Sequence, residues 1–93
     1  MEYEKIEITA TDRTVWSAPI NIIKASEIKI THKRALQFSI EDVTGKKIIL
    51  PLDDSADERT QTIKKETFIK ENELFGWTNL YLQSATPITI SLS

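Results

Sequence analysis

Thr78-Asn79-Leu80-Tyr81-Leu82-Gln83-Ser84-Ala85-Thr86-Pro87-Ile88-Thr89-Ile90-Ser91-Leu92 alternates apolar and polar residues twice over. Leu80 and Leu82 recur at every second position. Ile88, Ile90 and Leu92 do the same after a short polar break. A period of two sends one set of side chains to one face of a pleated strand, so the run predicts a β-hairpin with one buried face. Pro87 has no backbone donor and suits the first residue of the second strand, or an edge. Immediately upstream, Glu73-Leu74-Phe75-Gly76 reads as a tight segment feeding this hairpin.

Moving outward, residues 34–52 predict a second hairpin. Leu36, Phe38 and Ile40 alternate, Glu41-Asp42-Val43-Thr44-Gly45 forms the loop, and Ile48, Leu50 and Leu52 return on the buried face. Gly45 stands where a turn needs positive φ. Residues 55–70 carry mixed signals. Ser55 and Glu58 have capping-box spacing, and Lys64 and Lys65 suit a helix C-terminus. Ile63, Phe68 and Ile69 make no helical stripe, however, and Thr60, Thr62 and Thr67 disfavour a helix. The expectation is loop and then strand, with a turn or two of helix.

Toward the start, Ile6 and Ile8 alternate with Tyr3, Lys5 and Glu7 in a strand over residues 3–9. Thr11-Asp12-Arg13 reads as a turn, and Thr14-Val15-Trp16-Ser17 as a short strand ended by Pro19. Ile20 and Ile22, then Ile28 and Ile30, mark two further strands around Lys24-Ala25-Ser26. His32-Lys33 reads as a connection. About eight short strands with turn signals between them define an all-β fold, a single antiparallel, jelly-roll-like β-sandwich spanning residues 1–93 as one domain. Composition agrees: 14 isoleucines and 11 threonines suit a pleated surface better than a helix. With only 2 glycines, the turns fall to Asp, Asn, Ser and Pro.

Charge and motif content narrow the function. Twelve basic and 14 acidic residues are interspersed, for a net charge of -2, so no basic stripe suggests nucleic acid as a partner. No apolar run is long enough to span a membrane, and Met-Glu-Tyr-Glu-Lys has none of the regions of a signal peptide. The chain reads as soluble and made in the cytoplasm. With no cysteine there is no disulfide or thiolate chemistry. His32, among Thr31, Lys33 and Arg34, reads as a surface-turn residue whose cationic neighbours lower its pKa. Asp53, Asp54, Asp57 and Glu58 could offer oxygens to a cation, but their spacing matches no calcium loop and they read as a solvated segment without metal. No glycine-rich phosphate loop or catalytic constellation is present, so neither a cofactor nor an enzymatic activity is expected.

Two readings remain. Trp16, Trp77 and Tyr81 could stack on sugar rings, making a small carbohydrate- or ligand-binding module, although large aromatics serve more often as core or interface anchors. Alternatively, Ile22-Ile23 and Ile48-Ile49 are adjacent pairs that cannot share one strand face. Parity with Ile20 and Leu50 sends Ile23 and Ile49 outward, where, with Tyr81, they offer apolar area for a homo-oligomer or for other structural proteins. The ending Gly76-Trp77-Thr78-Asn79-Leu80-Tyr81-Leu82-Gln83-Ser84-Ala85-Thr86-Pro87-Ile88-Thr89-Ile90 also resembles the last two strands of small β-sandwich virion proteins of tailed bacteriophages. There an aromatic-containing strand ends in a small polar turn followed by alternating Ile, Val and Thr. The resemblance implies a structural or decoration role in a phage head or tail, often as an oligomer.

Overall fold

The computed structural model describes residues 4–8 and 15–93. In these residues the alternating pattern becomes eight strands and one helix: β1 Glu4–Ile8, β2 Ile20–Asn21, β3 Glu27–His32, β4 Ala35–Glu41, β5 Lys47–Pro51, β6 Arg59–Lys64, α1 Lys65–Asn72, β7 Asn79–Ser84 and β8 Ile88–Leu92. They form two four-stranded antiparallel sheets, ordered β1-β8-β3-β6 and β2-β7-β4-β5. Each strand of the first half lies beside its counterpart from the second: β1 with β8, β2 with β7, β3 with β6 and β4 with β5. A double ribbon folded over into two layers in this way is a jelly roll.

The topology corrects the reading of residues 78–92. β7 and β8 do not pair; they lie in opposite sheets and face each other across the core. Leu80 and Leu82 point inward from one layer, Ile88, Ile90 and Leu92 from the other. An arch and a hairpin both bury alternate residues, so alternation cannot tell them apart. The corner decides it. The Ser84 hydroxyl donates to the Thr86 carbonyl at 2.8 Å, the Ala85 N–H donates to the Arg34 carbonyl at 3.4 Å, and the Thr86 hydroxyl donates to the Lys33 carbonyl. These bonds tie the β7–β8 corner to the neighbouring β3–β4 corner, so the two connections cross from one sheet to the other side by side. Among the described residues, β4 and β5 are the only consecutive strands that pair as a hairpin, as expected from residues 34–52.

The described part of the N-terminal region departs from expectation at residues 15–17, which form no strand. Their backbone still runs beside β7: the Ser17 N–H donates to the Leu82 carbonyl at 2.8 Å, and the Leu82 N–H donates to Ser17 Oγ at 3.0 Å. A side-chain acceptor there replaces a ladder bond, and pairing proper begins at Ile20. The expectations at Tyr3, Thr9, the Thr11-Asp12-Arg13 turn and Thr14 lie outside the described residues.

The core fills the space between the sheets with Ile28, Ile30, Phe38, Ile40, Leu80, Leu82 and Ile90, all buried. Helix α1 is eight residues long and follows β6 without a side-chain cap. It docks through Phe68, whose ring centroid lies 6.4 Å from Phe38 and 6.3 Å from Trp77 in tilted pairs, the geometry aromatic quadrupoles favour. The helix stops at Glu73, which takes the left-handed conformation at φ 55°. The Ser55 and Glu58 spacing makes no helix. Ser55 Oγ instead accepts the Asp57 N–H at 3.0 Å in a local turn, the same kind of bond an N-cap would make.

Candidate functional site

The outer face of the β2-β7-β4-β5 sheet brings two of the expected interface residues into one row. Ser39 in β4 pairs with Ile49 on one side and with Tyr81 on the other. Ile49 is 56 % exposed, because its parity directs it away from the core. Tyr81 is half-buried. Its hydroxyl donates to Glu41 Oε1 at 3.1 Å, the same oxygen that accepts Asn79 Nδ2 at 3.0 Å. Lys47 Nζ stands 4.7 Å from the Tyr81 ring centroid, within cation–π range. The bond from Asn79, then that from Tyr81, holds the Glu41 carboxyl below its usual range. Burial and the Glu41 carboxylate together push the Tyr81 hydroxyl up. Ser39, between the two, is buried, and its hydroxyl has no hydrogen-bond partner among the described residues.

Ile23, the third expected interface residue, is 51 % exposed but lies in the β2–β3 connection, off that face. Its N–H is held by Asn21 Oδ1 at 2.9 Å. Two further exposed apolar residues were read from the sequence only as connecting positions and not as part of an apolar surface. Val43 and Phe75 sit in adjoining loops, the β4–β5 turn and the α1–β7 connection, and are 64 % and 70 % exposed. Buried Asp42 braces them. Its Oδ1 accepts the Thr44 N–H at 2.8 Å, the Thr44 hydroxyl at 2.7 Å and the Lys46 N–H at 3.0 Å, and its Oδ2 accepts the Phe75 N–H at 3.1 Å. The Val43 N–H reaches the Phe75 carbonyl at 3.3 Å. Gly76 follows at φ +75°, and a Cβ there would sit 3.4 Å from Val43 Cγ1. Gly45 takes φ +89° in the turn, as expected. The available signal was a short acidic residue two positions before Thr44, an Asx-turn pattern, beside an apolar residue that fits no strand parity.

The aromatic residues considered for ligand stacking part company. Trp77 is 1 % exposed and donates its Nε1–H to the Ala25 carbonyl at 3.0 Å. A ring enclosed on both faces offers no platform, so Trp77 is a core anchor and not a ligand contact. Trp16 is half-buried in the segment before β2. Tyr81 is engaged by Glu41 and Lys47 as described.

His32 also corrects its expectation. It ends β3 on the inward face, opposite Arg59, and is 2 % exposed. Desolvation lowers its pKa, against the raising influence of the Asp53 charge. Its Nδ1 has no hydrogen-bond partner among the described residues. Alternation carried the core face one residue further than the polar context of His32 suggested. The acidic residues Asp53, Asp54, Asp57 and Glu58 are exposed in the β5–β6 connection. Arg59 lies 3.3 Å from Asp53 and 3.9 Å from Asp57. Among the described residues no three His, Cys, Asp or Glu side chains gather where they could hold a metal ion. No helix among them is long and apolar enough to cross a membrane.

Fold and surface together describe a small jelly-roll β-sandwich with apolar residues presented at its edge and at one end. No protein-family model matches the chain, and neither a curated protein nor a solved structure matches it.

Proposed function

We propose that this chain is a structural subunit that acts by assembling, with itself or with other structural proteins, and not by turning over a substrate. The observation that carries this is the set of large apolar side chains left outside the core: Val15, Ile23, Val43, Ile49 and Phe75 each expose more than half their surface. Covering one such side chain is worth roughly 1.5–3 kcal/mol, so a few of them, repeated by symmetry, make a stable contact. The resemblance of residues 76–90 to small virion proteins of tailed bacteriophages points to a virion as the assembly. The jelly roll, a fold that viral capsid domains use among others, supports that setting by fold analogy.

Light scattering across a concentration series tests the reading. The parent protein is expected to associate, and the double substitution Ile23→Lys and Ile49→Lys to lower the assembly state while leaving the fold intact. A parent that stays a single chain at every concentration removes self-assembly. A saturable change in tryptophan fluorescence on titration with sugars would replace the assembly reading with a carbohydrate-binding one centred on Trp16.

A further inference from the structure

We propose that the open edge of β5 is a homodimer seam. β5 of one chain pairs antiparallel with β5 of a second copy about a two-fold axis at Ile49, joining two four-stranded sheets into one. This rests on the assembly reading above and names the strand that assembles and its partner.

Among the described residues β5 is the last strand of its sheet, with β4 on one side and no strand on the other. The bonds from the Asp42 N–H to the Lys46 carbonyl at 2.9 Å and from the Leu52 N–H to the Leu36 carbonyl at 3.1 Å bracket the β4–β5 ladder. They set its phase: Ile48 and Leu50 turn their backbone groups toward β4, while Lys47, Ile49 and Pro51 turn theirs to the open side. The middle of the strand, Ile48 to Leu50, is apolar on both faces. Ile48 and Leu50 point inward yet are only half-buried, and Ile49 points outward. Proteins normally blunt such an edge with charge, proline or polar residues; β5 has these only at its two ends, Lys47 and Pro51. β6, the corresponding edge of the other sheet, is blunted with Arg59, Thr60, Gln61, Thr62 and Lys64.

What fits this edge is the edge itself. Residues 46–54 read Lys-Lys-Ile-Ile-Leu-Pro-Leu-Asp-Asp, basic at one end, apolar in the middle and acidic at the other. Turned antiparallel on a second copy and centred on Ile49, all five residues of β5 are engaged. Ile49 stands opposite Ile49, Ile48 opposite Leu50, and Lys47 opposite Pro51. The Ile49 N–H of each copy meets the Ile49 carbonyl of the other, and each Lys47 N–H meets a Pro51 carbonyl. Every donor on the open side of β5 then has an acceptor, and Pro51, which has no N–H, falls at the periphery. Lys46 and Lys47 of one copy come beside Asp53 and Asp54 of the other at both ends of the seam. A parallel pairing would set like charges together, so charge selects the two-fold arrangement.

The absence of cysteine makes a clean test possible. In a hydrogen-bonded antiparallel pair, opposed Cα atoms lie about 5.5 Å apart, within the span of a disulfide. Ile49→Cys is therefore expected to form a covalent dimer under mild oxidation, and Ile23→Cys to stay single. Ile49→Lys, which sets two ammonium groups against each other at the axis, is expected to lower the apparent mass from two chains to the 10.6 kDa of one, with an unchanged circular dichroism spectrum. If Ile49→Lys unfolds the chain, crosslinking of Ile49→Cys decides alone. A parent that associates while Ile49→Cys fails to crosslink overturns the β5 seam and leaves the assembly reading standing. A parent that remains a single chain overturns both.

Discussion

Asp42 shows how much of this surface depends on one side chain. Four donors converge on its carboxylate, and the Thr44 hydroxyl, followed by the Phe75, Thr44 and Lys46 N–H groups, brings its pKa from 3.8 to about 2. A carboxylate depressed in the folded state stabilises it above the unfolded value, and that contribution is lost as pH falls through the folded one. Acid should therefore weaken the protein as pH drops from about 4 to about 2, the window between those two values. Asp42→Asn should lower the melting temperature by several degrees at neutral pH and flatten the acid limb, as followed by circular dichroism. An acid limb identical to that of the parent would show that the brace contributes nothing. His32 acts at milder pH. Burial lowers its pKa in the fold, so the unfolded chain takes up the proton first and stability falls as pH drops below about 6.5. Thermal melts as pH falls below about 6.5 should show this slope in the parent and lose it in His32→Leu.

Helix α1 is the element most dependent on a single contact. It has no side-chain cap, one basic residue in its last turn, and Phe68 as its only buried residue. A lone eight-residue helix is not stable in water, so its existence follows from docking Phe68 between Phe38 and Trp77. Phe68→Ala should cost about 3–5 kcal/mol. Because the ring also touches the main core, the loss should appear as a lower denaturation midpoint with an unchanged slope. A surface-sized change would mean that the helix is an appendage. Phe38→Ala, on the β4–β5 hairpin, should cost a similar about 3–5 kcal/mol, since Phe38 is 1 % exposed.

The whole molecule is a ribbon whose halves meet end to start. β1 pairs with β8, β2 with β7 and β3 with β6, so among the described residues β4–β5 is the only pairing between consecutive strands. The loops that these pairings close must be ordered before the contacts reward them, which slows folding to about milliseconds to seconds. Stopped-flow refolding should fall in that range, and a microsecond phase carrying the full amplitude would contradict the closed-ribbon topology. The hairpin of β4 and β5, with its braced Asp42 turn, is the local nucleus available to start it.

Much of the strand content was legible because period two is a local property. Ile28 and Ile30, Phe38 and Ile40, Leu80 and Leu82, Ile88 and Ile90 each declare a face without reference to the rest of the chain. The outward parity of Ile49 followed from the same rule, while Ile23 is exposed because it lies in the β2–β3 connection. The sheet to which each strand belongs is not local. Residues 78–92 alternate identically whether β8 folds back beside β7 or crosses to the opposite layer, and the Ser84–Thr86 corner with its bonds to Lys33 and Arg34 made the choice. His32 was misplaced for the same reason: whether a polar side chain at a strand end meets solvent depends on what the opposite sheet sets over it. The sequence by itself determined a sandwich of strands with two isoleucines left outside. Tertiary structure alone decided the jelly-roll order, the helix held by Phe68, and the joining of Val43 to Phe75 through Asp42, because each requires segments more than 20 residues apart to share a contact.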